Sequence, residues 1–152
     1  GDSIFSGYYN EDVESPFVDC EGESWYNTGD LVVEDEEEVI WFRGRLKRFI
    51  KLGGEMISLP AIENALLPHY PESEDGVLAA IESIELEEDK NEIVLVQVND
   101  YLTREQSNKL VLENGLSSLH NIRRVIKVES IPLLGTGKTD YRSLKKMISE
   151  LV

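Results

Sequence analysis

The 152 residues carry 15 Lys and Arg against 30 Asp and Glu, a formal net charge of −15, with 41% apolar and 30% charged residues. That balance describes a globular protein with room for one domain, or one domain and part of another. It argues against non-specific nucleic-acid binding and against a polybasic membrane anchor. The single cysteine, Cys20, excludes an intramolecular disulfide and any CxxC metal or redox motif.

The chain opens on Gly1, with no charged segment leading into an apolar one, so no signal peptide is expected and the expected location is the cytoplasm. No apolar run approaches the roughly 20 residues of a spanning helix. The opening GDSIFSGYYNEDVESPF is aromatic and turn-rich, without helical period or a core of its own. It reads as the middle of a longer protein, whose C-terminal piece this chain would be. Trp25 to Val33 and Val39 to Arg43 predict two strands joined by the acidic stretch Glu34–Glu38. Arg48 to Leu52 and Met56 to Leu59 predict a strand pair around Gly53–Gly54–Glu55, where glycine supplies positive φ. Pro60 suits the first turn of a short helix with Ile62, Ala65 and Leu66 on one face, ended by Pro68. Val77 to Ile84 and Ile93 to Val98 predict strands, the second apolar enough to be central, with Glu85–Asn91 as a solvated connection. Thr103–Gln106 is a capping-box pattern opening a helix that Asn114–Gly115 closes. Val125 to Ile131 predicts a strand. Asp140 to Val152 predicts an amphipathic helix with Tyr141, Leu144, Ile148 and Leu151 at helical spacing. From about residue 48 the expected fold is therefore α+β, a small domain with helices packed on a central sheet.

The charge is unevenly spread. Gly1 to Ile40 holds 13 acids and no Lys or Arg, whereas Trp41 to Pro60 carries Arg43, Arg45, Lys47, Arg48 and Lys51 against Glu55 alone. Residues 61 to 100 hold 11 acids and only Lys90, and Arg123, Arg124, Lys127, Lys138, Arg142, Lys145 and Lys146 follow. Two basic islands in an acidic chain suggest local sites for anions such as phosphates; solvated faces without a ligand are the plainer alternative.

Three segments stand out together: Trp25-Tyr26-Asn27-Thr28-Gly29-Asp30-Leu31, then GRLKRFIKLGG from Gly44 to Gly54, then PLLGTGK from Pro132 to Lys138. In order and spacing they resemble the last three core motifs of the adenylate-forming superfamily, which holds acyl-CoA synthetases, luciferases and non-ribosomal peptide adenylation domains. The words GEMIS and PLLGTGK look most like the C-terminal end of bacterial acyl-acyl-carrier-protein synthetases, the bifunctional 2-acylglycerophosphoethanolamine acyltransferases. The resemblance implies that residues 1–46 are a β-rich stub of the large AMP-binding domain and 47–152 the mobile C-terminal domain.

It also implies a two-step ligase. A fatty acid and ATP, with Mg2+ held mainly by the large domain, give acyl-adenylate and pyrophosphate. The phosphopantetheine thiol of acyl carrier protein or of CoA then takes the acyl group. No nucleic-acid partner is implied, and association of the full-length protein with the cytoplasmic membrane is left open.

Residue by residue, the resemblance makes Asp30 the acceptor for both ribose hydroxyls, a bidentate geometry that suits a carboxylate. The alternative is an Asp fixing its own turn. Arg45 would contact ribose and phosphate oxygens with its planar fork, or else be a surface strand-end Arg. Lys47 matches the hinge, where a long polar side chain at a domain boundary tolerates a change in φ/ψ. Lys51, Gly53 and Gly54 would face the pantetheine arm in the thioester step, though a plain hairpin explains them equally well. Lys138 would be the catalytic residue, an ammonium reaching into a partner domain. The Thr136-Gly137-Lys138-Thr139 run also invites a phosphate-loop reading, which fails because Pro132 stands where that pattern needs Gly. The family's usual Arg shortly after the lysine is not plain, with Asp140 and Arg142 in that region.

Neither His69 nor His120 has ligand partners at metal spacing, so no metal site is expected, and Glu63 reads as a structural acid. The phosphate loop and the adenine-stacking aromatic would lie ahead of residue 1, so this piece alone is expected to be inactive in adenylation. A long-chain acyl-CoA synthetase is the rival within the class. A non-catalytic interaction module that kept the fold is the rival outside it. The acidic balance also suggests that an acidic carrier protein would dock on the basic islands, Arg43–Lys51 or Arg123–Lys127.

Overall fold

A computed structural model describes residues 4–9, 14–73, 76–87 and 90–151. The chain divides into two compact units, Gly1–Lys47 and Arg48–Val152.

The first unit is two antiparallel hairpins. Strand β1 (Phe17–Cys20) pairs with β2 (Glu23–Tyr26), and β3 (Asp30–Glu34) with β4 (Ile40–Arg45). The single strand expected from Trp25 to Val33 is broken at Asn27–Gly29. Asn27 Oδ1 accepts the Gly29 N–H at 2.9 Å, Thr28 Oγ1 accepts the Asp30 N–H at 3.1 Å, and Gly29 sits at φ +70°. These short polar side chains offer the backbone a local alternative to a ladder. Strand β1 was not expected at all. The acidic connection between β3 and β4 is organised by Asp35, whose Oδ1 accepts from Glu37 and Val39 N–H and whose Oδ2 accepts from Trp41 Nε1 at 2.6 Å. The Trp41 hydrogen bond, then those from the backbone, hold the Asp35 carboxyl below its ordinary range.

The second unit opens with β5 (Phe49–Leu52) and β6 (Glu55–Ser58), joined through Gly53 and Gly54 at φ +59° and +88°. Two successive positive φ values make a two-residue turn of the kind whose twist matches the strands. Ser58 caps helix α1 (Leu59–Leu66), its Oγ accepting the Ala61 N–H, and Pro60 sits in the first turn. Next comes a three-stranded sheet of β7 (Ala79–Glu87), β8 (Lys90–Gln97) and β9 (Arg124–Lys127). Strand β8 is central, antiparallel to β7 and parallel to β9. Helix α2 (Arg104–Glu113) supplies the crossover that a parallel pair requires, and its Thr103–Gln106 capping box is formed in full. Helix α3 (Tyr141–Ser149) ends the unit, capped by Asp140.

Alternation along β8 sorts the core onto two faces. Ile93 and Leu95, with Ile81, pack against Ile62 and Leu66 of α1 and Val111 of α2. Val94 and Val96, with Ala80 and Ile84, pack against Leu144 and Ile148 of α3. Both faces are covered, which is why this strand reads as continuously apolar.

Three expectations change at the edges of this sheet. Glu85–Asn91 is not a free connection, because Glu85 pairs with Asn91 and Glu87 with Lys90 in the ladder. Backbone pairing there needs no apolar side chains. Strand β9 stops at Lys127, short of the expected Ile131. Its partner β8 ends at Gln97, whose carbonyl takes the Val128 N–H as a last rung at 3.0 Å. Leu151, expected on the buried face of the last helix, lies past its end and is exposed.

Candidate functional site

Lys138 sits on a tight hairpin between β9 and α3. Leu133 and Thr139 form an antiparallel bridge. Inside it the Leu134 N–H donates to the Lys138 carbonyl at 2.7 Å and the Gly137 N–H to the Leu134 carbonyl at 2.8 Å. Outside it the Asp140 N–H donates to the Pro132 carbonyl at 2.8 Å. Gly137, at φ +79°, fits a three-residue hairpin closed by a left-handed glycine. The connection is therefore tied by backbone hydrogen bonds. The Lys138 side chain is exposed and has no hydrogen-bond or ion-pair partner among the described residues.

Asp30 and Arg45 face each other across β3 and β4. Arg45 Nη1 lies 2.9 Å from Asp30 Oδ1 and donates to the Thr28 carbonyl at 2.8 Å. Asp30 Oδ1 is buried and ion-paired but accepts no aligned hydrogen bond. The pair sets a carboxylate beside a planar guanidinium fork, an acceptor next to a donor.

Lys47 is exposed and ends the first unit, and Arg48 begins the second. Lys51 projects from β5 into solvent, and Gly53 and Gly54 form the exposed turn that follows. A Cβ on Gly54 would meet nothing within 4 Å, so the positive φ, not crowding, favours glycine there.

The basic islands are less free than their sequence suggests. Arg124 pairs with Glu92 at 2.8 Å and Lys127 with Asp100 at 2.6 Å. Among the described residues, no three His, Cys, Asp or Glu side chains group to hold a metal ion.

Sequence reasoning missed one cluster. Arg48, counted above as part of a basic island, is buried. Its Nη2 donates to Glu63 Oε1 at 2.7 Å, and its Nη1 reaches the Ile81 carbonyl at 2.8 Å and Glu82 Oε2 at 3.3 Å. Its Cζ lies 3.6 Å from the centroid of the Tyr141 ring. The Tyr141 hydroxyl donates to the Glu63 carboxylate, 2.9 Å from each oxygen, and Glu63 Oε1 also accepts the Ile81 N–H at 2.8 Å. Burial, and then the Glu63 charge, push the Tyr141 hydroxyl up to about 12. Burial raises the Glu82 carboxyl above its ordinary value, with the Ser83 N–H and Arg48 opposing. Of this cluster, only Glu63 was read as structural from sequence.

No protein-family model matches the chain. It is 33% identical over 147 residues to a long-chain-fatty-acid–CoA ligase of Thermus thermophilus, covering 96% of this chain and 26% of that protein. It is 33% identical over 149 residues to enterobactin synthase component E of Escherichia coli, covering 98% of this chain and 27% of that one. The solved structure of the amide bond synthetase McbA from Marinactinospora thermotolerans superposes with a TM-score of 0.68 at 26% identity, over 93% of this chain and 28% of that chain. The chain belongs to the adenylate-forming, AMP-binding superfamily. It spans about a quarter of the length of the curated relatives just named. These three adenylate-forming relatives do not single out the acyl-carrier-protein branch within the superfamily.

Proposed function

We propose that the chain is the C-terminal part of an ATP-dependent acid–thiol ligase, with residues 1–46 the end of the large AMP-binding domain and 47–152 a mobile C-terminal domain. In the first step a carboxylate oxygen attacks the α-phosphorus of ATP and the bond to pyrophosphate breaks, leaving acyl-adenylate. In the second a pantetheine thiol displaces AMP. Asp30 and Arg45 would hold the ribose and its phosphate, Lys47 would be the hinge, and Lys51 with Gly53–Gly54 would face the pantetheine arm. The described residues offer no acidic cluster for Mg2+.

One observation carries the reading: the Lys138 ammonium is exposed and has no partner among the described residues, at the closing position of a hairpin held by three backbone hydrogen bonds. An ammonium held this way is available to a group bound elsewhere. At about 4 Å from a developing oxyanion it is worth roughly 4 kcal/mol at an effective dielectric of about 20, or about three orders of magnitude in rate.

Fatty acid as substrate and CoA as acceptor are supported by the name of the Thermus relative. Acyl carrier protein as acceptor, and an acyltransferase half, rest on the short words GEMIS and PLLGTGK. In the full-length enzyme, Lys138→Ala is expected to lower the adenylation half-reaction about a thousandfold. Thioester formation from supplied acyl-adenylate is expected to persist. Equal loss in both steps overturns the assignment, and running the second step with CoA against carrier protein decides the acceptor.

A further inference from the structure

A residue that follows Lys47 and one that follows the Lys138 hairpin meet in one largely buried place. Arg48 directly follows Lys47. Tyr141 opens α3 directly after Asp140, whose N–H closes the base of the Lys138 hairpin on Pro132. Between them stands Glu63 of α1. Its Oε1 takes Arg48 Nη2 at 2.7 Å, and its carboxylate takes the Tyr141 hydroxyl at 2.9 Å, with the guanidinium stacked 3.6 Å from the Tyr141 ring.

Apolar packing of α3 on the sheet is non-directional. A planar fork with one face on an aromatic ring and its edge on a carboxylate fixes both distance and angle. A buried ion pair is a poor way to add stability compared with apolar residues of the same shape, but it defines geometry well.

We propose that Arg48, Glu63 and Tyr141 are positioning residues that register the Lys138 hairpin to the hinge, so that rotation about Lys47 carries the hairpin as one piece. The proposal rests on the reading of Lys47 and Lys138 given above. The Gly53–Gly54 turn lies on the β5–β6 hairpin that continues directly from Arg48, and its connection to the hinge does not pass through Tyr141. The two half-reactions therefore depend differently on the Tyr141 hydroxyl.

The test is a double-mutant cycle in the full-length enzyme, with both half-reactions assayed. Tyr141→Phe keeps the ring over the guanidinium and deletes the hydroxyl. It is expected to slow adenylation about tenfold through misplacement of the lysine, while thioester formation from supplied acyl-adenylate changes less than about twofold. In a Lys138→Ala background the same substitution is expected to have no further effect on adenylation. Arg48→Lys, which keeps the charge and loses the fork, is expected to follow the same pattern. The inference is overturned if Tyr141→Phe slows both steps alike, or slows adenylation by the same factor with and without Lys138. If Lys138→Ala leaves adenylation intact, the reading beneath it fails first and takes the proposal with it.

Discussion

The two units hold their candidate groups by opposite means. Among the described residues, every buried apolar side chain lies between Arg48 and Val152. Among the described residues before Arg48 only Gly44 is buried, and Val32, Val33, Ile40, Trp41 and Phe42 are all exposed. The first unit presents Asp30 and Arg45 on a two-stranded ladder, an arrangement marginal in water by itself, with one small ring cluster of Phe5, Tyr8, Phe17 and Tyr26 nearby. The second presents Lys138 from a hairpin mounted on a two-faced core. A polar pair can thus be placed by strand register alone, whereas a lone reaching cation needs a rigid base behind it.

The contrast is tested most strongly by truncation. Leu144 is 0% exposed and Ile40 66% exposed. In the 152-residue chain, Leu144→Ala is expected to lower the stability of the second unit by about 3 kcal/mol, and Ile40→Ala to stay within about 0.5 kcal/mol. Urea unfolding followed for each variant reads both values, and equal costs would erase the distinction.

Ion pairs sharpen it next. Glu63→Gln removes the nearer of the two carboxylate charges that face buried Arg48 and is expected to cost about 3 kcal/mol. Asp30→Asn, in a pair whose Arg45 side chain is 63% exposed, is expected to cost under about 1 kcal/mol. The same urea measurements decide whether the two differ.

The smallest effect is the sign of the pH response. Burial raises Glu82 in the folded state, so its contribution is fully present below the unfolded value of about 4.3 and is lost as pH rises through the folded value. The Trp41 hydrogen bond depresses Asp35, so its contribution is present above about 3.9 and is lost as pH falls through the folded value. Unfolding midpoints taken from about pH 3 to 7 should rise toward high pH in Glu82→Gln relative to the parent. In Asp35→Asn the acid-side loss should flatten. Matching slopes in the two variants would contradict the opposed causes.

Local chemistry was legible where it was self-contained. Thr103 and Gln106 announce their own capping box, Gly53–Gly54 their own turn, and the spacing of Leu144 and Ile148 the buried side of α3. The break at Asn27–Gly29 was hidden because two short side chains compete with a strand that the flanking residues favour. Strand ends were misjudged at Glu85 and Val128 because a ladder extends as far as its partner does, a fact held on the other strand. Of the candidate site, Lys138 and the Gly pair could be found from their motifs. Arg48 could not be separated from the basic residues around it. Its partners Glu63, Glu82 and Tyr141 come from α1, β7 and α3, and only tertiary packing brings them to one point.

The closed tip at Gly135–Thr136–Gly137 also decides where the cost of engaging a ligand falls. With the main chain at residue 138 already immobilised by its neighbours across the hairpin, little backbone freedom is left to surrender. The loss is confined to the torsions of one methylene stem, on the order of 2 kcal/mol. Any substrate that recruited this cation would therefore be charged for freezing a side chain and spared the cost of folding a loop.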